Sequence, residues 1–253
     1  MTFTKQIRDF YWGQDTPQSI DTLIDWLRDA ATRQVHGTRD NDEYVKGAVA
    51  VDRQNARIAR LRSGMDRAVT CNCTAISTTM VDLLSNAGVP SRLVRYIAVD
   101  GQPHDLRHTV LEAQFENNRL HVDVDAGTIF SDGHGVYDSL TVFTKLQVSA
   151  LGFGAVQRLV NAKEVDINYP HRADYLNITQ HPGRLLAWYR HLAGGMVIDT
   201  GMLIGSIGEH QSLTLLANLP DSIRGRTVIL PFEEFRQRFY TPLAPGKERG
   251  TDI

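Results

Sequence analysis

The run Cys73–Pro90, CTAISTTMVDLLSNAGVP, admits few folds. Ile76, Met80, Leu83, Leu84 and Ala87 fall at i, i+4, i+7, i+8 and i+11, one apolar stripe at the helical period. Gly88 stands where a left-handed C-terminal cap belongs, and Pro90 stops the helix from continuing. The pattern predicts a helix whose first turn holds Cys73. Unpaired N–H groups and the positive end of the helix dipole favour a thiolate in that place.

Beyond Pro90 the chain reads as sheet. Arg92–Val99 (RLVRYIAV) is rich in branched and aromatic residues and is predicted to be a strand, with Gly101, Pro103 and Asp105 in the next turn. From His108 to Phe115 the chain alternates, with Thr109, Leu111, Ala113 and Phe115 on one face and His108, Val110, Glu112 and Gln114 on the other. Asn117-Asn118 is predicted as a hairpin turn, since Asn tolerates positive φ. On the returning strand Leu120, Val122 and Val124 share one face, and His121, Asp123 and Asp125 the other. Such a hairpin brings His108 near a carboxylate. Sulfur, imidazole and carboxylate, supplied in that order, are the groups a thiol nucleophile needs.

These residues resemble the core of the transglutaminase-like superfamily, cysteine enzymes with a papain-like Cys-His-Asp triad. The likeness rests on the spacing from Cys73 to Gly88 and on Gly88-Val89-Pro90-Ser91-Arg92, which matches a G-[IV]-P-x-R signature. His108 opening a strand and Asp123 on the next one complete it. It spans roughly residues 20 to 130. Three positions depart from the pattern: Val110 replaces an aromatic residue, Leu120 a tryptophan, and Cys71 the glycine of Gly-x-Cys.

The resemblance implies catalytic Cys73, His108 and Asp123, with Asp125 as an alternative orienting carboxylate and Cys71 as an alternative sulfur. In that chemistry the backbone N–H of Cys73, with the Asn72 side chain as a nearby donor, is expected to face the oxyanion. The implied fold is α+β, with N-terminal helices and a nucleophile helix packed on an antiparallel sheet. That core is assigned to residues 1–150, and a C-terminal α/β extension to 151–253. The implied activity is cysteine-dependent acyl transfer on a peptide or amide-containing substrate, with peptidase or amidase chemistry through an acyl-enzyme. The alternatives are transfer to an amine, as in a transglutaminase-type acyltransferase, and a non-catalytic binding module that keeps the fold.

Bulk properties narrow the partners. With 27 basic against 29 acidic residues and a net charge of −2, the chain has no global basic field, so nucleic acid is not expected as a partner. No apolar run reaches the length of a membrane span, and the N-terminus lacks the apolar stretch of a secretion signal, so a cytoplasmic protein is expected. The two cysteines, Cys71 and Cys73, are one residue apart and too close for an unstrained disulfide. Buried structural thiols are the competing reading. His104, His108, His121, Asp123 and Asp125 raise a metal site, but Gly101, Pro103 and the alternation after His108 place them on loop and strand. No Glu follows the first His, so neither a metal nor a cofactor is expected. His121 is then a strand residue near the site.

Elsewhere the pattern is coarser. Thr16-Pro17 is predicted to start a helix with the stripe Ile20, Leu23, Ile24, Leu27 and Ala31, leaving His36 exposed at its far end. A second helix over Glu43–Arg62 is expected to turn Arg53, Arg57, Arg60 and Arg62 to solvent. His134 is expected on a surface loop, Ser139–Ala150 fits strand or helix, and Gly152–Gly154 reads as a turn. Beyond residue 160, Arg184–Leu192 reads as a helix, and Met196–Ile207, Ser212–Asn218 and Thr227–Leu230 as strands. Phe232–Tyr240 reads as a final helix with Phe235 and Phe239 inward.

Overall fold

The computed structural model describes residues 17–37, 48–62, 69–98, 107–198, 202–205, 216–217, 224–225 and 227–240. Helix α1 (Ile20–Arg33) buries Leu23, Leu27, Ala30 and Ala31. It starts later than Thr16-Pro17 predicted, because Ser19 is the residue whose hydroxyl accepts from the Thr22 N–H and caps the first turn. Its end runs into strand β1 (Gln34–His36), which pairs in parallel with β2 (Val69–Cys71). Between them lies helix α2 (Ala48–Arg62).

Helix α3 (Cys73–Asn86) follows β2 after one residue and carries the expected stripe, with Ile76, Met80, Leu83 and Leu84 fully buried. Gly88 has φ 82°, the left-handed cap its position predicted, and the Val89 N–H closes the motif on Leu84 O at 2.8 Å. Arg57 on α2 departs from the expected solvated face. It is buried, with Nε on Thr79 Oγ1 at 3.2 Å and Nη2 on Gln54 Oε1 at 2.8 Å, so it ties α2 to α3.

A mainly antiparallel sheet forms the centre. Strands β3 (Ser91–Ile97), β4 (Arg107–Phe115), β5 (Asn118–Asp123), β6 (Thr128–Asp132) and β7 (Gly135–Val136) run side by side in chain order. The β4–β5 hairpin turns one residue earlier than predicted, at Glu116-Asn117. Glu116 takes the positive φ (52°), and Asn118 already pairs with Phe115. After β7 come helix α4 (Ser139–Gln147), a short 3-10 turn at Phe153–Ala155 and strand β8 (Val156–Arg158), which pairs with β6. Asp138 decides the ambiguous segment in favour of helix, because its carboxylate accepts from the Thr141 N–H and caps α4.

Helices α5 (Arg172–Gln180) and α6 (Pro182–Leu192) lead to β9 (Gly195–Ile198), which adds to the free edge of β3. Strand β10 (Met202–Gly205) pairs with β9, and β11 (Val228–Pro231) lies parallel to β10 ahead of helix α7 (Phe232–Tyr240). The run predicted as one strand over Met196–Ile207 is therefore two. Of the predicted strand Ser212–Asn218, Leu216 and Ala217 are described, and both are helical.

Alternation along the strands sorts the core into two layers, one on each face of the sheet. Leu111, Ala113, Leu120 and Val122 meet α1, α2 and α3, whereas Val94, Tyr96, Val110, Met196 and Ile198 meet α4, α6 and α7. The result is a mixed α+β fold. Among the described residues no helix is long and apolar enough to cross a membrane.

Strands from both halves of the chain share one sheet, so the two layers are expected to fail together. Leu83→Ala and Leu186→Ala, one in each layer, should each cost about 2–5 kcal/mol as buried large-to-small changes. In urea, far-UV circular dichroism and tryptophan fluorescence should report the same lowered midpoint for both variants. Separate transitions would show that the layers are independent.

Candidate active site

Asn72 ends β2's extension in β conformation, and its side-chain oxygen accepts from the Ala75 N–H at 3.0 Å. That cap starts the helix at Cys73 and leaves the N–H groups of the first turn without partners four residues back. It also commits the Asn72 oxygen, so only the amide nitrogen remains as a donor. Two side chains then pin the helix end to β4. Thr74 Oγ1 lies 3.0 Å from Thr109 Oγ1, and Ser77 Oγ donates to Thr109 O at 3.0 Å. The residue before Thr74 is Cys73 and the residue before Thr109 is His108. The pin sets the two side by side.

Cys73 is half-buried, whereas His108 is 2% exposed and Asp123 is fully buried. His108 Nε2 meets Asp123 Oδ2 at 2.7 Å. With Nε2 taken, Nδ1 is the nitrogen left for the sulfur, and the Cys73 sulfur lies within 4.8 Å of a ring nitrogen. Burial opposes the imidazolium. The charge and hydrogen bond of Asp123, joined by those of Cys73, outweigh it and hold His108 well above the ordinary histidine range.

Asp123 is held on three sides. The Ala126 N–H donates to Oδ1 at 2.8 Å, and the Tyr189 hydroxyl donates to Oδ2 at 2.6 Å, the oxygen that also meets His108. Trp188, half-buried, covers the imidazole with ring centroids 4.5 Å apart, and Tyr189 meets it edge-on at 5.8 Å. The backbone turn after Asp123 is fixed by Gly127 at φ 65°. There any side chain would meet Val160 Cγ2, which lies 2.5 Å from the Cβ position.

Asp125, the alternative orienting carboxylate, is used otherwise. It accepts from Gln34 Nε2 at 2.8 Å, from His36 Nδ1 at 2.9 Å to each oxygen, and from the Tyr175 hydroxyl at 2.7 Å. His36 is accordingly buried rather than exposed, stacked on Tyr175 with centroids 3.7 Å apart. The parallel β1–β2 pairing places His36 opposite Cys71 and turns it into the protein. Cys71, the alternative sulfur, is sealed in the core, and burial followed by the charge of Asp125 pushes its thiol up.

His121 is buried beside Ser139 Oγ at 3.0 Å, and that hydroxyl rather than Cys73, His108 or Asp123 is its near polar neighbour. His134 is exposed, as expected of its loop, and His104 lies outside the described residues. Donor atoms of Cys73, His108 and Asp125 fall within 4.8 Å of one another, a spacing that a metal could exploit after contraction. The Asp125 carboxylate already accepts from three donors, Gln34, the shared N–H of His36 and Tyr175, which a metal would have to displace.

Tyr189, Trp188, Tyr175, Gln34 and His36 join the site without a sequence motif to mark them. Tyr189 left a trace: it shares a helical face with Leu185, Leu186 and Leu192, and a buried tyrosine needs a partner for its hydroxyl. No family model, curated protein or solved structure matches the chain.

Two outcomes are expected. Tyr189→Phe removes one of two donors from Asp123 Oδ2, so any reactivity of Cys73 that depends on His108 should fall about tenfold, read as the alkylation rate at pH 6. His121 is held down to about 3 from its ordinary 6.5, chiefly by burial and also by the charge of His108, with Asp123 opposing. Between those values the unfolded chain binds a proton that the folded chain refuses, so stability must fall as pH drops through the window. His121→Gln should flatten the stability–pH slope by about one proton there, measured by urea unfolding at successive pH values.

Proposed function

We propose that the chain is a cysteine-dependent acyl-transfer enzyme, a peptidase or amidase of the transglutaminase-like kind. The observation that carries the proposal is the line Cys73–His108–Asp123. One imidazole is bonded at Nε2 to a buried carboxylate and has a ring nitrogen within 4.8 Å of a sulfur at a helix N-terminus.

In the proposed reaction His108 holds the thiol proton as imidazolium while Asp123 fixes the ring's tautomer and orientation. The Cys73 sulfur bonds to the carbonyl carbon of an amide, and the carbonyl π electrons move to oxygen. N–H groups of the first turn of α3, with the Asn72 amide as a second donor, face the charge that develops. The C–N bond then breaks, His108 gives its proton to the departing nitrogen, and a thioester to Cys73 remains. His108, now neutral, takes a proton from water, the hydroxide adds to the thioester, and the sulfur leaves as the acid is released. A carboxylate that neither donates nor receives the proton suffices for this scheme. Adding an amine to the reaction and analysing the products distinguishes hydrolysis from transfer.

Turnover of a panel of peptide, amide and thioester substrates tests the proposal. Cys73→Ala and His108→Ala should each lower kcat by at least about 1,000-fold, because members of a triad act as a unit, and chelators should leave the wild type unchanged. Turnover that survives either substitution contradicts it.

A further inference from the structure

A second buried carboxylate stands beside the reacting pair. One oxygen of Asp125 lies within 4.8 Å of both the Cys73 sulfur and a His108 ring nitrogen. Its hydrogen bonds go elsewhere. Oδ1 accepts from Gln34 and His36, and Oδ2 from His36 and Tyr175, at 2.7 to 2.9 Å. The single His36 N–H is shared between the two oxygens, so three donors hold the carboxylate. Asp125 is thus committed to Gln34, His36 and Tyr175, and it is not placed to orient His108 as Asp123 does. What it can still exert on Cys73 and His108 is charge.

That charge is maintained. Burial favours the neutral acid, but the charge and hydrogen bond of His36, with His108 and Lys163, hold Asp125 well below the usual carboxylate range. The titratable groups facing it come from seven segments: His36 on β1, Cys71 on β2, Cys73 on α3, His108 on β4, Asp123 on β5, Lys163 after β8 and Tyr175 on α5. Tyr175 stays a neutral donor, because burial and the charge of Asp125 push its phenol far up.

We propose that Asp125, clamped by Gln34, His36 and Tyr175, is an electrostatic positioning residue that destabilises negative charge on Cys73 while supporting the His108 imidazolium. When the sulfur bonds to a carbonyl carbon, its negative charge moves to the carbonyl oxygen and repulsion from Asp125 is relieved, whereas attraction for the imidazolium persists. The carboxylate thus acts against the resting thiolate more than against the state in which the new bond forms. The inference rests on the acyl-transfer reading of the Cys73–His108 pair.

The test measures iodoacetamide alkylation of the full chain from about pH 4 to about pH 9, with peptide mapping to assign Cys73, in wild type, Asp125→Asn and Tyr175→Phe. A unit charge at such a distance in a partly screened site changes an ionisation by about tenfold or more. Asp125→Asn should therefore move the Cys73 midpoint down, with at least about a tenfold larger reactive fraction at low pH, and yet lower the turnover of an amide substrate. Tyr175→Phe, which strips one donor from the carboxylate, should move the midpoint up. Opposite shifts are the signature, since a loss of packing alone does not give two signs.

Midpoints that stay put, or that move the same way in both variants, overturn the inference while a reactive wild type leaves the proposed function standing. If Asp125→Asn does not fold, Tyr175→Phe decides, and an unmoved or lowered midpoint there overturns it. A wild-type Cys73 that alkylates no faster than a free cysteine overturns both.

Discussion

Everything in the site converges on the carboxylate of Asp123. It accepts from the imidazole of His108 on β4, from the backbone of Ala126 in the turn after β5, and from the hydroxyl of Tyr189 on α6. A buried carboxylate left with one partner would be costly, by several kcal/mol. Three donors in fixed places turn that cost into a constraint, because the β4–β5 register, the Asp123–Gly127 turn and the docking of α6 must all be correct for the charge to be accommodated. Losing one donor leaves the others holding an under-satisfied anion, so the site and this part of the fold are stabilised together.

Cys73 reaches this point by a separate route. Helix α3 lies on the opposite face of the sheet from α6, buried through Ile76, Met80, Leu83 and Leu84. Only its N-terminal end comes round to His108, where the Thr74–Thr109 and Ser77–Thr109 contacts hold it at the edge of β4. The sulfur is therefore supplied by one layer and the roof over the imidazole, Trp188 and Tyr189, by the other. Beneath them the short β1–β2 ribbon adds Gln34 and His36, which with Tyr175 of α5 surround Asp125. Two aspartates two residues apart, one ending β5 and one in the turn after it, thus serve two different histidines.

Local pattern in the sequence reaches far in the first half of the chain and less far in the second. The stripe of α3, the Gly88 cap and the alternation of β4 and β5 are short-range features, and each survives in the fold because the same residues also face the core. Placing His108 and Asp123 on neighbouring strands follows from that alternation. Choosing Asp123 over Asp125 does not, since alternation puts both on one side, whereas β5 ends at Asp123, Asp125 falls in the turn, and the partners brought by α5, α6 and β1 separate them. His36 and Arg57 defy local pattern for a related reason. Polar residues at the edge of an amphipathic stripe are ordinarily solvated, and nothing nearby in sequence announces Asp125 or Thr79 as the group that compensates their burial. The pairing of β9 with β3 joins residues about a hundred apart in the chain, a contact that periodicity does not encode.

In the proposed mechanism Asp123, through His108, makes the sulfur of residue 73 the one that reacts. The most direct measurement treats the folded protein with a limiting amount of an acylating electrophile at pH 6 and locates the adduct by peptide mass spectrometry, in wild type and in Asp123→Asn. A single adduct on Cys73 is expected, with Cys71 untouched, and its loss in the variant. An adduct on Cys71, or labelling of Cys73 that is indifferent to the loss of Asp123, would contradict it.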